Sequence, residues 1–439
     1  MPMLHDELKK LNKYPFHMPG HKRNQLFSIA GSEIDITEIK GYDDLHNPAG
    51  IILETEEKFG KLYNSEKSFL LVNGSTVGIL AAIFCLTEYG DKIIIARNCH
   101  KSVYNACLLR KLKVVFAQPE YDCENGYYTR ISQEEIDCLL SENRDAKAVV
   151  ITSPTYEGYV SEIKCKIPLL IDAAHGAHFP FGEFPRYPIG DIVISSLHKT
   201  LPALTQTAIA NVYDKQYTDK LRFYLEMFET SSPSYILMNS ASICASYLEN
   251  SIADFKNYTD ALNGFYKNIK LKKLKLIKTD DPGKLIVSTA QANTDGASIA
   301  DILRTRYDME PESAGMRHIL LMTSVADDLK MYDKLRIALE EIDRSLEVKK
   351  QPPLPCPDAK KKTYSFCVDG ESEQSDIDSC EGKICAEFIY AYPPGIPILF
   401  PNEPVTKNAL DLLKRLEKHG VNLVSTSKLL PRYILTKRS

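Results

Sequence analysis

A chain of 439 residues is too long for one small core and suits one large domain with a smaller one. Its hydrophobic content of 44% supports a sizeable core. A net charge of −4, spread over 54 basic and 58 acidic residues, offers no basic field for nucleic acid or an anionic membrane.

No apolar run approaches the roughly 20 residues that span a bilayer, and the polar start Met1-Pro2-Met3-Leu4-His5-Asp6-Glu7 has no signal-peptide core. Eleven scattered cysteines without a C-x-x-C pair read as reduced thiols, hence a cytoplasmic protein. Cys380 and Cys385 lack a second ligand pair, so no zinc site is expected there.

In chain order, residues 1–15 read as a short helix with Leu4, Leu8 and Leu11 at helical spacing. Phe16-His17-Met18-Pro19-Gly20-His21-Lys22 is a broken, imidazole-rich turn, and Gly41-Tyr42-Asp43-Asp44-Leu45-His46 is an acidic one. Residues 51–63 form an amphipathic helix, and from there strands and helices alternate. Strands are expected at 68–72, 92–96, 114–116, 148–152, 167–171, 190–194 and 208–213. Helices are expected at 77–86, from 101 to about 112, and at 132–140, where Ser132 and Glu135 make a capping box. This succession predicts an α/β domain with a mainly parallel sheet. In such a sheet ligands bind beyond the carboxyl ends of the strands.

A long helix over 236–268 is expected to lead into a smaller α+β part. That part has strands at 284–288 and 319–322, and helices at 297–306, 325–346 and 405–419. Residues 350–383 read as a mobile connection, followed by a strand from Ile384 to Tyr390 and the turn Tyr392-Pro393-Pro394-Gly395-Ile396-Pro397. The expected organisation is an arm over 1–50, a large domain over 51–268 and a smaller domain over 269–439.

Four groups lie at strand ends. Lys199 follows the strand 190–194 within Ser195-Ser196-Leu197-His198-Lys199-Thr200, and Asp172 ends the strand 167–171. His100 follows the strand 92–96, and Asn73-Gly74-Ser75-Thr76 precedes a helix whose free N–H groups favour an anion. Asp172, His175 and His178 could hold a metal, but a metal leaves Lys199 and the anion cradle without a role. Pyridoxal phosphate uses all four: its aldehyde takes a lysine as a Schiff base, and its phosphate takes a helix N-terminus with hydroxyls. Its ring nitrogen keeps a proton beside a buried carboxylate, and its ring face takes an imidazole. Lys199 would then hold the cofactor, Asp172 would pair with the ring nitrogen and His100 would stack. Ser75, Thr76, Ser196 and His198 would bind phosphate, with His175 and Thr155 completing the cofactor-binding set.

The chain resembles the Orn/Lys/Arg decarboxylase family of fold-type-I pyridoxal-phosphate enzymes. The resemblance rests on Phe16 to Lys22, Gly41 to His46, Asn73 to Thr76, Arg97 to Ser102, Asp172 to Phe179, Ser196 to Lys199, Ser232-Pro233-Ser234-Tyr235 and Tyr392 to Pro397, in the family's order and nearly end to end. It implies an aspartate-aminotransferase-like fold, a homodimer or higher homo-oligomer with sites at the interface, and loss of CO2 from arginine, lysine or ornithine. Polyamine biosynthesis and acid resistance are the roles such a reaction serves. It also implies that Ser232 or Ser234 reaches the neighbouring subunit's phosphate.

The chain departs from the family at Ala173, where Glu is usual, and at Pro355-Cys356-Pro357-Asp358-Ala359-Lys360-Lys361, which lacks the family's Arg and aromatics. Asp44, Glu157 and Glu387 are candidates for the substrate's distal cation, with Glu387 favoured for its place before the Pro-Pro-Gly turn. The rival readings are transamination or lyase chemistry, with Arg317 or Arg432 taking a substrate carboxylate, and a non-catalytic cofactor-binding paralogue.

Overall fold

The computed structural model describes residues 4–11, 18, 19, 21–24, 26, 29–355, 362–392 and 395–438. Phe16, His17, Gly20, Pro393, Pro394 and residues 356–361 of the sequence motifs lie outside these. Contacts divide the chain into two compact units. One draws on Met1–Leu86 and Leu170–Asn257, the other on Thr87–Leu169 and Tyr258–Ser439.

In the first unit the strands lie in the order Lys67–Leu71, Ala208–Val212, Ile192–Ser196, Leu169–Asp172. Ala208–Val212 runs antiparallel to both of its neighbours, pairing Leu71 with Ala208 and Ser196 with Ala208. Ile192–Ser196 runs parallel to Leu169–Asp172, pairing Asp172 with Ile194. Three strands therefore run one way and end at one edge. All four are buried along nearly their whole length and mostly apolar, as strands covered on both faces are. The helix Gly74–Leu86 packs close to this sheet at Gly78, where a Cβ would lie 2.7 Å from Leu71 Cδ1 and 3.0 Å from Ile194 Cγ2.

In the second unit Ala146–Thr152, Lys92–Ala96 and Lys113–Ala117 are parallel, and Thr363–Tyr364 adds antiparallel beside Lys113–Ala117. Again three strands run one way and one runs against them, which is the mainly parallel α/β arrangement expected. The same unit holds an antiparallel sheet of Lys275–Ile277, Lys284–Ser288, His318–Met322 and Ser313–Ala314. Its C-terminal portion builds two further small antiparallel sheets, Ile396–Leu399/Ile389–Ala391/Leu423–Ser425 and Ser372–Asp376/Tyr433–Lys437. The helix Lys407–Lys418 buries Leu410 and Leu413 with Ile389, Leu399 and Ile434.

Local expectations hold where the signal is local. Ser132 caps Gln133–Glu142 by accepting from Glu135 N–H at 3.1 Å, although the Glu135 carboxylate accepts from Gln118 N–H rather than closing the capping box. Four expectations change. Of the helix expected over 1–15, the described residues form Leu4–Leu8. The long helix over 236–268 is two helices, Tyr235–Leu248 and Ile252–Asn268. The break falls at Asn250-Ser251, where the Ser251 hydroxyl donates back to Leu248 C=O at 3.1 Å. Residues 362–376 are not a mobile connection: besides the two strands above, Tyr364 and Phe366 are buried in a cluster with Tyr104, Phe116, Phe388 and Phe400. The strand expected from Ile384 to Tyr390 shortens to Ile389–Ala391, with single bridges at Ile384 and Cys385.

Candidate active site

The first unit gathers most of the expected residues at one sheet edge. Ile192–Ser196 runs straight into the short helix Leu197–Thr200, which carries Lys199. Lys199 Nζ lies 3.0 Å from His175 Nε2. Asp172 ends the neighbouring parallel strand and is buried. Burial pushes its carboxyl up, against the opposing pull of Lys199 and of Ala174 N–H, which donates to Oδ1 at 3.1 Å. The strand Lys67–Leu71, running the same way, delivers Ser75 in the first turn of Gly74–Leu86. Ser196 Oγ donates to Ser75 Oγ at 3.0 Å, and Thr76 is exposed on the same turn.

That turn is fixed from behind. Gly74 adopts φ +74°, a left-handed conformation that glycine tolerates, and its N–H donates to Gln206 C=O at 2.8 Å. Glu229 accepts from Val72 N–H at 2.7 Å, and Asn73 Oδ1 accepts from Thr230 N–H at 3.1 Å. Burial raises the Glu229 carboxyl to about 7 despite the Val72 N–H. His198 Nδ1 donates to Thr207 C=O at 2.9 Å. Desolvation lowers its imidazole pKa, with the Thr207 bond opposing and Lys199 reinforcing, so the neutral ring is favoured.

The second unit carries His100 and Thr155, each just beyond a strand's carboxyl end. His100 is the N-cap of Lys101–Leu109, with Nδ1 accepting from Ser102 N–H at 3.2 Å and 2.9 Å from Ser102 Oγ. Thr155 is buried and accepts from Tyr159 N–H at 3.2 Å.

The substrate-acid candidates make contacts of their own. Glu387 is buried, and its two oxygens accept from Leu435 N–H at 2.7 Å and Ser427 N–H at 2.9 Å. Its carboxylate ties these C-terminal segments together through the two N–H groups. Asp44 accepts from His46 N–H at 2.9 Å. Its neighbour Asp43 instead receives the N–H groups of Ala49, Gly50, Ile52 and Leu53 and caps Ile51–Tyr63. Glu157 lines a cavity of about 140 Å³ within the second unit, along with Tyr127, Tyr156, His318 and Ile398. Burial raises its carboxyl to about 7. Ser234 caps Tyr235–Leu248 through Leu237 N–H at 3.4 Å. Arg317 is buried and donates to Glu124 C=O at 3.3 Å, and Arg432 lies 3.8 Å from Asp376 at the surface.

Sequence reasoning passed over Arg97 and the acid it meets. Arg97 is buried, donates to Pro397 C=O at 2.5 Å and to Ile398 C=O at 2.9 Å, and lies 3.7 Å from Glu403. An arginine closing an apolar strand was the available signal, because a buried guanidinium needs acceptors.

Two family models match the chain in succession: the Orn/Lys/Arg decarboxylase major domain over residues 3–340 and the C-terminal domain of the same family over 350–423. The uncharacterized protein YaaO of Bacillus subtilis (strain 168) is 32% identical over 463 residues, covering 97% of this chain and 95% of that one. An arginine decarboxylase of Bacillus anthracis is 28% identical over 93% of this chain and 91% of its own length. The Escherichia coli constitutive lysine decarboxylase has the same fold, with a TM-score of 0.77 at 17% identity over 99% of this chain and 82% of that one. A ureidoglycine-glyoxylate aminotransferase of Bacillus subtilis shares the core of that fold at a TM-score of 0.53 and 14% identity, over 67% of this chain and 84% of its own. With both domain models matched in order and a relative above 30% identity spanning nearly the whole chain, the protein belongs to the Orn/Lys/Arg decarboxylase family.

Proposed function

We infer that this chain is a pyridoxal-phosphate-dependent decarboxylase that converts a basic amino acid (arginine, lysine or ornithine) to its amine and CO2. The observation that carries the reading is the first unit's cluster: a lysine amine, a buried strand-end carboxylate and a hydroxyl pair at a helix N-terminus, all at one sheet edge. The donor set fits the cofactor group by group. Lys199 supplies the amine for the aldehyde, Asp172 supplies the carboxylate for the ring nitrogen, Ser75, Thr76 and Ser196 supply hydroxyl donors for the phosphate, and His198, whose Nδ1–H is taken by Thr207, donates to it from Nε2 when the phosphate's charge holds the ring protonated. When bound, the cofactor supplies a protonated ring that accepts the electron pair left behind as CO2 departs.

The chain's residues do the rest. Asp172, in a buried setting where its charge is costly, gains by facing a cation, and this keeps a proton on the ring nitrogen. The N-terminal turn of Gly74–Leu86 adds its dipole and free N–H groups to the two serine hydroxyls, a combination suited to a dianion. Lys199 Nζ, 3.0 Å from His175 Nε2, is placed to hold a proton and return it to the substrate carbon. Proton delivery of this kind contributes on the order of 10²–10⁴-fold to rate. This reading assigns the ring face to His100 and includes Thr155 in the cofactor-binding set. The organisation that goes with this reading is an arm over 1–50, a large domain over 51–268 and a smaller one over 269–439, working in the cytoplasm as a homodimer or larger homo-oligomer.

Purified protein supplied with pyridoxal phosphate should release CO2 from at least one of arginine, lysine and ornithine. Keto-acid formation without CO2 would replace the reading with transamination. Lys199→Ala should abolish the visible absorbance of lysine-bound cofactor, and persistence of that band would assign the covalent link to a different lysine.

A further inference from the structure

We propose that the C-terminal segment Gly395–Ile398 is a clasp that sets the ring of His100, with Gly395 and Arg97 as positioning residues. The proposal rests on the reading above that His100 stacks on the cofactor, and it goes beyond that reading by giving the C-terminal portion a part in the site.

All of the contacts lie within the second unit. Gly395 C=O accepts the Lys101 N–H at 3.0 Å, taking one of the donors that a helix start leaves unpaired. Gly395 sits at φ +83°, and a Cβ there would lie 3.4 Å from both His100 Cδ2 and His100 Nε2, and 3.3 Å from Tyr392 Cδ2. Gly395 therefore lies beside the Nε2 edge of the imidazole, while Ser102 holds the Nδ1 edge at 2.9 Å. Gly395 and Ser102 thus flank the ring on opposite sides, and a side chain added at 395 would come into contact with it.

Arg97 ties Pro397 and Ile398 to the loop that carries His100. Its fork donates to the carbonyls of Pro397 and Ile398, and it is buried over the rings of Phe116 and Phe400, with its centre 5.5 and 5.1 Å from their centroids. Lys101 Nζ lies 4.9 Å above the Tyr392 ring. Glycine suits 395 because the left-handed backbone strains any other residue there, and an added Cβ would press on Tyr392 at 3.3 Å and touch the imidazole at 3.4 Å. Lysine cannot replace Arg97 as an anchor, because a single ammonium lacks the fork that spans two successive carbonyls.

The test uses four variants of the full chain: His100→Ala, Gly395→Ala, Arg97→Lys and the His100→Ala/Gly395→Ala double variant. Each is measured for cofactor dissociation constant, for the induced circular dichroism of the bound cofactor, and for melting temperature without cofactor. Gly395→Ala should loosen cofactor binding roughly two- to tenfold, the range expected for a ring forced off its rotamer, and should shrink the induced signal. Arg97→Lys should act in the same direction. The double variant should bind the cofactor no more weakly than His100→Ala alone, because both changes act through one ring.

If His100→Ala leaves affinity and induced signal at the wild-type level, the stacking reading fails and the clasp with it. If His100→Ala weakens binding while Gly395→Ala and Arg97→Lys do not, stacking stands and the clasp is refuted. Fully additive losses in the double variant also refute it, since Gly395 would then act on something other than His100. Should Gly395→Ala not fold, Arg97→Lys alone decides, by an induced signal that either falls or stays at the wild-type level.

Discussion

Replacing Glu157 by Gln isolates a carboxyl that the fold prefers uncharged. Glu157 is buried, and desolvation raises its pKa from 4.5 to about 7, with its own backbone N–H, the Thr155 hydroxyl and the positive charge of Lys284 pulling the other way. The native state therefore binds a proton that the unfolded chain releases between about pH 4.5 and 7. The resulting stability is present in full below about pH 4.5 and is lost as the pH rises through about 7. At about 1.36 kcal/mol for each tenfold step, that gap amounts to about 3 kcal/mol.

Glutamine keeps the shape and the hydrogen-bonding reach without the charge. Glu157→Gln should match the wild type near pH 4.5 and exceed it by up to about 3 kcal/mol at pH 8. For a chain of this length that is about 3 °C in melting temperature, from an unfolding entropy of about 2 cal/mol/K per residue. Calorimetric melts or urea titrations of both proteins at pH 5, 6, 7 and 8 measure the difference. A gap that stays constant with pH would refute the reasoning. A Gln variant that loses stability at pH 8 would do the same, because it would show the carboxylate ionised and usefully paired with Lys284.

Two further perturbations follow from packing. Gly78→Val inserts a branched side chain where a Cβ would already lie 2.7 Å from Leu71 Cδ1 and 3.0 Å from Ile194 Cγ2. It should cost about 1–3 kcal/mol in thermal or urea unfolding and, by lifting Ser75 away from Ser196, weaken phosphate affinity; unchanged affinity would detach the Gly74–Leu86 packing from the cradle. Phe366→Ala removes a fully buried ring from the Tyr104–Phe116–Phe388–Phe400 cluster and should cost about 3–5 kcal/mol in the same melts. A loss near zero would return residues 362–376 to the status of a loose connection.

The reasons for success and failure differ by residue. The strands 92–96 and 208–212 were legible because burial on both faces writes a mostly apolar run, Ile93 to Ala96 and Ala208 to Ala210, into the sequence. Ser132 was legible because a cap acts over three residues. The break at Asn250-Ser251 lay inside a pattern that stayed periodic on both sides, so composition alone could not place it. The strand Ser372–Asp376 carries little hydrophobic signal. It exists because Tyr433–Lys437 pairs with it from about sixty residues further along the chain.

The carboxylates show the same divide. Asp43 and Asp44 are adjacent, yet one caps a helix and the other closes a turn, a choice made by the left-handed backbone at Asp43, φ +64°. Glu387 looked suited to a ligand from its place before the Pro-Pro-Gly turn, but Ser427 and Leu435 bring backbone N–H groups to it from forty and more residues away.

The sequence by itself determined the alternation of strands and helices, the class of sheet, and the presence of a lysine, an acid and a hydroxyl turn just past strand ends. All of these are properties of short stretches, where periodicity and capping chemistry act. Tertiary structure alone decided which groups meet. An antiparallel strand between two others brings Ser75 to Ser196, a short helix turns Lys199 toward His175, and a C-terminal glycine closes on His100. A hydrogen bond is set by distances of about 3 Å, and no local pattern in the chain encodes such a distance between segments that far apart in sequence.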